Sequence, residues 1–281
     1  MSLLSRFRRA LARRPGLRPL RLRIGHYFVM PWEWPTLFSL SMARHFPEFR
    51  RGWDNEAQGA EDIVKVLGHT MTKYDRCMAL HNLVKYVEDT GIPGSLVECG
   101  VWRGGSIGLM ALANQRYGRE RRPLVLFDAW GDWPDPTPED GERFEELAAG
   151  RLKKADNTGT LDACRDLLER GIGYPGERIA YHAGLFQDTL PAAAPRLGPI
   201  AVLRIDCDWY EQVKLCLETL FPLVAPGGVV IFDDYGYCEG ARRAVDEYLT
   251  HRGEPYLLHF VDYSCRYLVN QGPYSSAPGR L

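Results

Sequence analysis

The chain has almost no charge imbalance. Its 35 Lys and Arg set against 36 Asp and Glu leave a net charge of -1 at pH 7. That gives no electrostatic footprint for nucleic acid, so no nucleic-acid partner is expected. Long apolar runs are missing too: nothing reaches the roughly 20 residues of a spanning helix or forms a secretory signal core. The seven cysteines, at 77, 99, 164, 207, 216, 238 and 265, form no C-x-x-C and no paired metal spacing. Cys99 and Cys207 sit inside apolar runs, where reduced, buried thiols are expected. A reducing, cytoplasmic compartment follows. What is present is a 281-residue chain with 45% hydrophobic composition, enough for one large domain with an extension.

The extension is the N-terminus. Eight arginines occur between residues 6 and 23, with no acid before Glu33, and Leu3, Leu4, Phe7 and Leu11 recur at helical spacing. A basic amphipathic helix of this kind suits weak contact with an anionic membrane surface or a partner, or a transit peptide; a solvated tail or a helix docked on its own domain is the plainer reading. Residues 1–69 read as a basic tail and N-terminal cap or lid, and 70–281 as the main domain. Helices are expected over 62–67 and 76–87. Trp32, Trp34, Trp130 and Trp133 are candidates for an acceptor pocket, or equally for core and oligomer contacts. A homo-oligomer is expected.

From about Gly91 apolar runs alternate with helical stretches. Strands are expected at 95–100, 124–128, 178–182, 200–206 and 229–233, with helices at 105–116, 161–170, 211–221 and 241–248. Two last runs, 256–261 and 265–269, are too close for a crossover and read as a hairpin. The pattern predicts an α/β fold: a mostly parallel seven-stranded sheet with a terminal antiparallel strand and helices on both faces. In such sheets ligands bind beyond the carboxyl ends of the strands. Glu98, Asp128, Asp206, Asp208, Asp233 and Asp234 all fall at those ends. The proline- and acid-rich stretch 130–140, directly after the second strand, is a candidate lid.

The first strand runs into ECGVWRGGS, a glycine-rich turn leading into a helix. Gly100, Gly104 and Gly105 permit a tight turn and close approach to a ligand. The spacing is G-x-x-x-G-G rather than the G-x-G-x-x-G of a dinucleotide fold, and Glu98 disfavours a phosphate and favours a cation or an amine. Asp128 stands where such sheets commonly bind ribose hydroxyls, pointing to a nucleoside; a turn cap is the alternative. Asp206, Asp208, Asp233 and Asp234 should converge on the rim. Unneutralised, they would repel one another and their pKa values would rise. Oxygen-only ligands indicate Mg²⁺, with Ca²⁺ or Mn²⁺ next. The alternative has one acid capping a helix while another pairs with Arg204 or Arg242. His182, ending the third strand, is read as a packed histidine or as a second candidate base.

Taken together, Met71-Thr72, LVECGVWRGGS at 96–106, LFDAW at 126–130, DTLP at 188–191, LRIDCDWYE at 203–211 and PGGVVIFDDYGYCEGARRAVDEY at 226–248 resemble the macrocin O-methyltransferase family, Mg²⁺-dependent enzymes that methylate sugar hydroxyls of antibiotics. The resemblance spans about residues 70–269. It implies a Rossmann-like class I methyltransferase fold, S-adenosylmethionine as methyl donor, and a hydroxyl-bearing small-molecule acceptor with a vicinal diol on the sugar of a glycosylated natural product. It places Met71, Thr72, Glu98, Gly100, Trp102 and Ser106 at the donor's amino-acid end, Asp128 at the ribose and Asp188 beside the adenine. Asp206, which also borders the donor, Asp233 and Asp234 are implied as metal ligands and Asp208 as general base. Two segments depart from the family pattern: Cys207 replaces the glycine of D-G-D, and 128–134 reads DAWGDWP rather than D-S-F-x-G-x-P. Rival readings are an NAD-type dehydrogenase, opposed by the turn spacing and Glu98, and a non-catalytic partner protein keeping the fold, opposed by the intact acids.

Overall fold

A computed structural model describes residues 56–131, 134, 136–141 and 159–272. The arginine-rich segment, Trp32, Trp34 and Trp133 lie outside them. The first elements are helices α1 (Glu56–Val66) and α2 (Tyr74–Asp89). In α2 the buried residues Tyr74, Cys77, Leu80, His81, Val84 and Val87 recur every three or four positions, one apolar stripe of an amphipathic helix. Strand β1 (Ser95–Cys99) is buried at every position, as a central parallel strand covered on both faces must be. It feeds α3 (Gly105–Tyr117), whose small residues bury it almost all round.

The chain continues through β2 (Leu124–Asp128), α4 (Leu161–Arg165) with a π-helical extension over Asp166–Gly171, and β3 (Ile179–Ala183). Helix α5 (Phe186–Ala193) leads to β4 (Ile200–Ile205), followed by α6 (Tyr210–Leu220), β5 (Val224–Phe232) and α7 (Glu239–Arg252). The short strands β6 (His259–Phe260) and β7 (Arg266–Val269) close the chain. The sheet order is β3-β2-β1-β4-β5-β7-β6. Strands β1 to β5 pair in parallel, and β7 runs antiparallel to both β5 and β6. The expected seven-stranded α/β sheet is therefore present.

Three local differences have physical causes. Helix α5 has no counterpart in the sequence reading because Pro191 lies inside it and Pro195 follows, which hides a helical pattern. Strand β5 begins at Val224, five residues earlier than the apolar run, because Val224 pairs with Ile200 of β4 ahead of a break in register in which Gly227 has φ +83°. The second helical half predicted over 161–170 is wound as π-helix. Two apolar cores flank the sheet. One lies under α1, α2 and α3 and includes Leu96, Leu126, Val202 and Ile231. The other lies under α5, α6 and α7 and includes Val97, Phe127, Leu203 and Val230. The alternation along each strand sends Glu98 and Arg204 to the first face, where the register sets them side by side.

Candidate functional site

The strand order reverses direction between β1 and β4, and the crevice outside their carboxyl ends is where ligands bind in this architecture. There β1 ends in Gly100, with φ +86°, and an added Cβ would lie 1.7 Å from the Asp206 carbonyl oxygen. Only glycine lets the turns after β1 and β4 approach so closely. Among the described residues, three non-glycine residues take left-handed backbone, and each follows a strand of the parallel sheet: Trp102 (φ +53°) after β1, Trp130 (+43°) after β2 and Asp208 (+60°) after β4. Strained backbone gathers where a binding site over-determines it.

Asp128 organises the turn from the neighbouring strand. Its Oδ2 accepts the N–H groups of Val101 (2.6 Å) and Trp102 (2.8 Å), and Oδ1 accepts that of Trp130 (2.7 Å). The Trp130 indole donates to the Trp102 carbonyl at 2.9 Å, so this tryptophan locks two loops together. An open cavity lies alongside, walled by Gly100, Asp128, Pro134, Asp206, Cys207 and Leu185–Gln187 at the start of α5. Pro134 belongs to the stretch expected as a lid. That stretch is anchored farther on by a Thr137/Asp140 capping box, with Asp140 accepting the Tyr210 N–H at 2.7 Å.

The acids meet as expected, and so do cations. Asp206, Asp233 and Asp234 each offer a carboxylate oxygen, all within 4.8 Å of one another. Arg204, buried at 2% exposure, reaches Glu98 Oε1 and Asp206 Oδ2 through Nη1, both at 2.6 Å. Its Nη2 donates to Asp233 Oδ1 at 2.7 Å and to Thr72 Oγ1 at 3.3 Å. Arg76 holds the other Asp233 oxygen at 2.6 Å and Asp262 at 2.7 Å. The pairing of an acid with Arg204 thus coexists with the convergence of carboxylates. Two guanidiniums do not balance Glu98, Asp206, Asp208, Asp233, Asp234 and Asp262. Burial pushes the Asp206 carboxyl up to about 6, with Arg204 opposing and Asp233 and Asp208 adding to the rise. Burial and the three neighbouring aspartates hold Asp234 well above the usual carboxylate range. A hard divalent cation fits this donor set, because it supplies the missing positive charge to oxygen ligands already gathered.

Glu98 is buried beneath the turn: Arg204 takes one oxygen and the Ile107 N–H, in the first turn of α3, takes the other at 2.9 Å. Burial pushes its carboxyl up to about 8, opposed by Arg204 and reinforced by Asp206. Thr72 touches Arg204, Met71 beside it is exposed, and Ser106 is buried in α3. Asp188 is exposed on α5, whereas its neighbour Gln187 lines the cavity. His182 stacks on Phe127 with ring centroids 4.6 Å apart, and burial lowers its pKa. Asp208 is nearly buried and accepts a hydrogen bond from the Cys238 thiol at 3.3 Å. Sequence reasoning missed Arg76, Cys238, Phe186 and Gln187. Arg76 alone carried a signal, as a cation next to the buried α2 stripe near its N-terminal end.

Comparison with known proteins gives a consistent picture. The sequence model described as Macrocin-O-methyltransferase (TylF) matches residues 37–269. The 8-demethyl-8-(2,3-dimethoxy-alpha-L-rhamnosyl)-tetracenomycin-C 4'-O-methyltransferase of Streptomyces olivaceus is 35% identical over 189 residues, covering 66% of this chain and 70% of its own. The demethyldecarbamoylnovobiocin O-methyltransferase of Streptomyces niveus is 35% identical over 181 residues, 64% of this chain and 67% of its own. The solved structure of the O-methyltransferase NovP superposes with a TM-score of 0.66 at 31% identity, covering 73% of this chain and 83% of that one.

Proposed function

From the premise that the chain belongs to the macrocin O-methyltransferase family and is an O-methyltransferase, we propose that it methylates a sugar hydroxyl of a glycosylated natural product, using S-adenosylmethionine and Mg²⁺. The observation that carries this reading is the set of three aspartate oxygens within 4.8 Å, beside a cavity that shares Asp206 with Asp128. The tetracenomycin relative is named for a rhamnosyl-bearing substrate, which supports the acceptor class.

S-adenosylmethionine supplies a methyl on a sulfonium sulfur, and its transfer breaks the S–C bond as the acceptor's O–C bond forms in line. Bound at the aspartate cluster, Mg²⁺ would supply a Lewis acid that lowers the pKa of an acceptor hydroxyl. Asp206, Asp233 and Asp234 would hold the ion. Asp128 accepts a ribose hydroxyl with the one Oδ1 lone pair left over from its bonds to the turn. Gly100 lets the donor's amino-acid end lie against backbone. Glu98 and Thr72 act from below, through Arg204 and the start of α3. Asp208 takes the acceptor's proton. Pro134 forms part of the cavity wall.

Turnover of a glycoside acceptor should vanish in EDTA and return with Mg²⁺, while S-adenosylhomocysteine still raises the melting temperature of the metal-free protein. Full activity without metal would reject the ion's role. Stabilisation by NAD rather than by the methyl-donor product would reject the donor.

A further inference from the structure

Arg204 is the group in this centre that neither methyl transfer nor metal binding calls for. A guanidinium next to a metal repels it, so its charge works against the ion. Its geometry does something else. The strand register places Arg204 beside Glu98 on β1 and beside Ile231 on β5, two residues before Asp233. From that position one planar fork reaches Glu98, Asp206 and Asp233, the acids of three adjacent strands, at 2.6 to 2.7 Å. Glu98 passes the connection to the Ile107 N–H of α3, and Thr72 meets the same fork from the segment before α2. Asp233 is pinned from its other side by Arg76.

We propose that Arg204 is a positioning residue that couples the donor half of the site to the metal half, holding Asp206 and Asp233 at ligand spacing while tied through Glu98 to the turn that receives the donor. The proposal rests on the Mg²⁺ reading above. Without the fork, Asp206 and Asp233 would repel each other and separate. With it, any shift of the β1–α3 turn when the donor binds moves the guanidinium and hence both carboxylates. Coupling of this kind is reciprocal: each ligand changes the other's affinity by the same factor. Lysine keeps the charge but has one nitrogen and no plane, so it cannot hold three acids at fixed angles.

The test is calorimetric titration of Mg²⁺ with and without saturating S-adenosylhomocysteine, and of S-adenosylhomocysteine with and without Mg²⁺. In the wild type each ligand should tighten the other by the same factor, about fivefold or more. In Arg204→Lys the Mg²⁺ affinity should fall about tenfold and that factor should drop to about one, with cooperative melting retained. A merely structural role would weaken both affinities and leave the factor in place. Glu98→Gln, which still accepts the Ile107 N–H, should lower the factor as well and serves if the lysine variant does not fold. A wild-type factor in the variants, or independent binding in the wild type, overturns the coupling. Wild-type protein that binds S-adenosylhomocysteine but no Mg²⁺ overturns the metal reading and the coupling together.

Discussion

Asp208 sits at the centre of a three-residue turn. The Trp209 N–H donates to the Cys207 carbonyl at 2.6 Å, and Asp208 between them has φ +60°. Such a γ-turn is rare and strained, and left-handed backbone costs a residue with a Cβ about 1–2 kcal/mol. The turn is held open toward the cavity by Cys207, whose side chain lies in the α6 core, and by the Cys238 thiol on Asp208 Oδ1. A carboxylate fixed this way is tethered through Oδ1 and stands beside Asp234. Asp208→Asn should lower kcat by roughly 10²- to 10⁴-fold, the usual contribution of a general base, with S-adenosylhomocysteine affinity unchanged by calorimetry. Cys238→Ala should lower kcat by about fivefold, the equivalent of roughly 1 kcal/mol for a lost hydrogen bond. Cys238→Ser keeps a donor and should recover most of it. Equal rates in the alanine and serine variants would show that the thiol only fills space.

Elements matter through the distances they set between strand ends. The turns after β1 and β4 touch at Gly100, so Gly100→Ala forces them apart. The expected cost is about 2–5 kcal/mol in urea unfolding, combining left-handed strain with overpacking, along with loss of S-adenosylhomocysteine binding. A fully stable alanine variant would mean that the close approach is dispensable. Most elements could be read from local pattern. The α2 stripe repeats at helical spacing, and β1, β2 and β4 are continuous apolar runs ending in acids. What local pattern could not convey is register. Glu98, Arg204 and Asp233 are far apart in sequence, and only the pairing of β1 with β4 and β4 with β5 makes one guanidinium reach all three acids. Reading the aspartates as a cation site captured their convergence. It weighed Arg204 as an alternative to that convergence because a sequence does not tell whether a buried cation replaces a metal or stands next to one. Helix α5 escaped for a different reason: its prolines interrupt the periodicity, and with it went Phe186 and Gln187 of the cavity wall.

For the whole molecule, a second charge cluster governs stability away from the cavity. Asp62 on α1 is buried and accepts bonds from Lys65, His81 and Arg116, joining α1, α2 and α3 into one layer. Burial alone would push its carboxyl up, but the bonds from His81, Arg116 and Lys65 outweigh that and hold it well below the usual range. A depressed folded pKa means that the unfolded chain takes up the proton first. The contribution is complete above about pH 4, the ordinary aspartate value, and is lost as pH falls below it. Asp62→Asn should therefore cost about 2–4 kcal/mol at pH 7 by urea unfolding and should flatten the wild type's loss of stability below pH 4. An unchanged acid slope would assign that slope to other carboxylates. Among the described residues no helix is long and apolar enough to cross a membrane.

The pairing of Arg76 with Asp233 and Asp262 also sets an order of events during synthesis. The first partner lies 157 residues downstream and the second 186. The strand that frames Asp262, β7, is the last of the sheet to be translated and inserts antiparallel against β5. A nascent chain halted before β7 can already stack β1 to β4 and cover them with helices. Its Arg76 can pair with Asp233 but lacks Asp262 held in place as second partner. The full brace on Arg76 is therefore completed only once the final hairpin has been made.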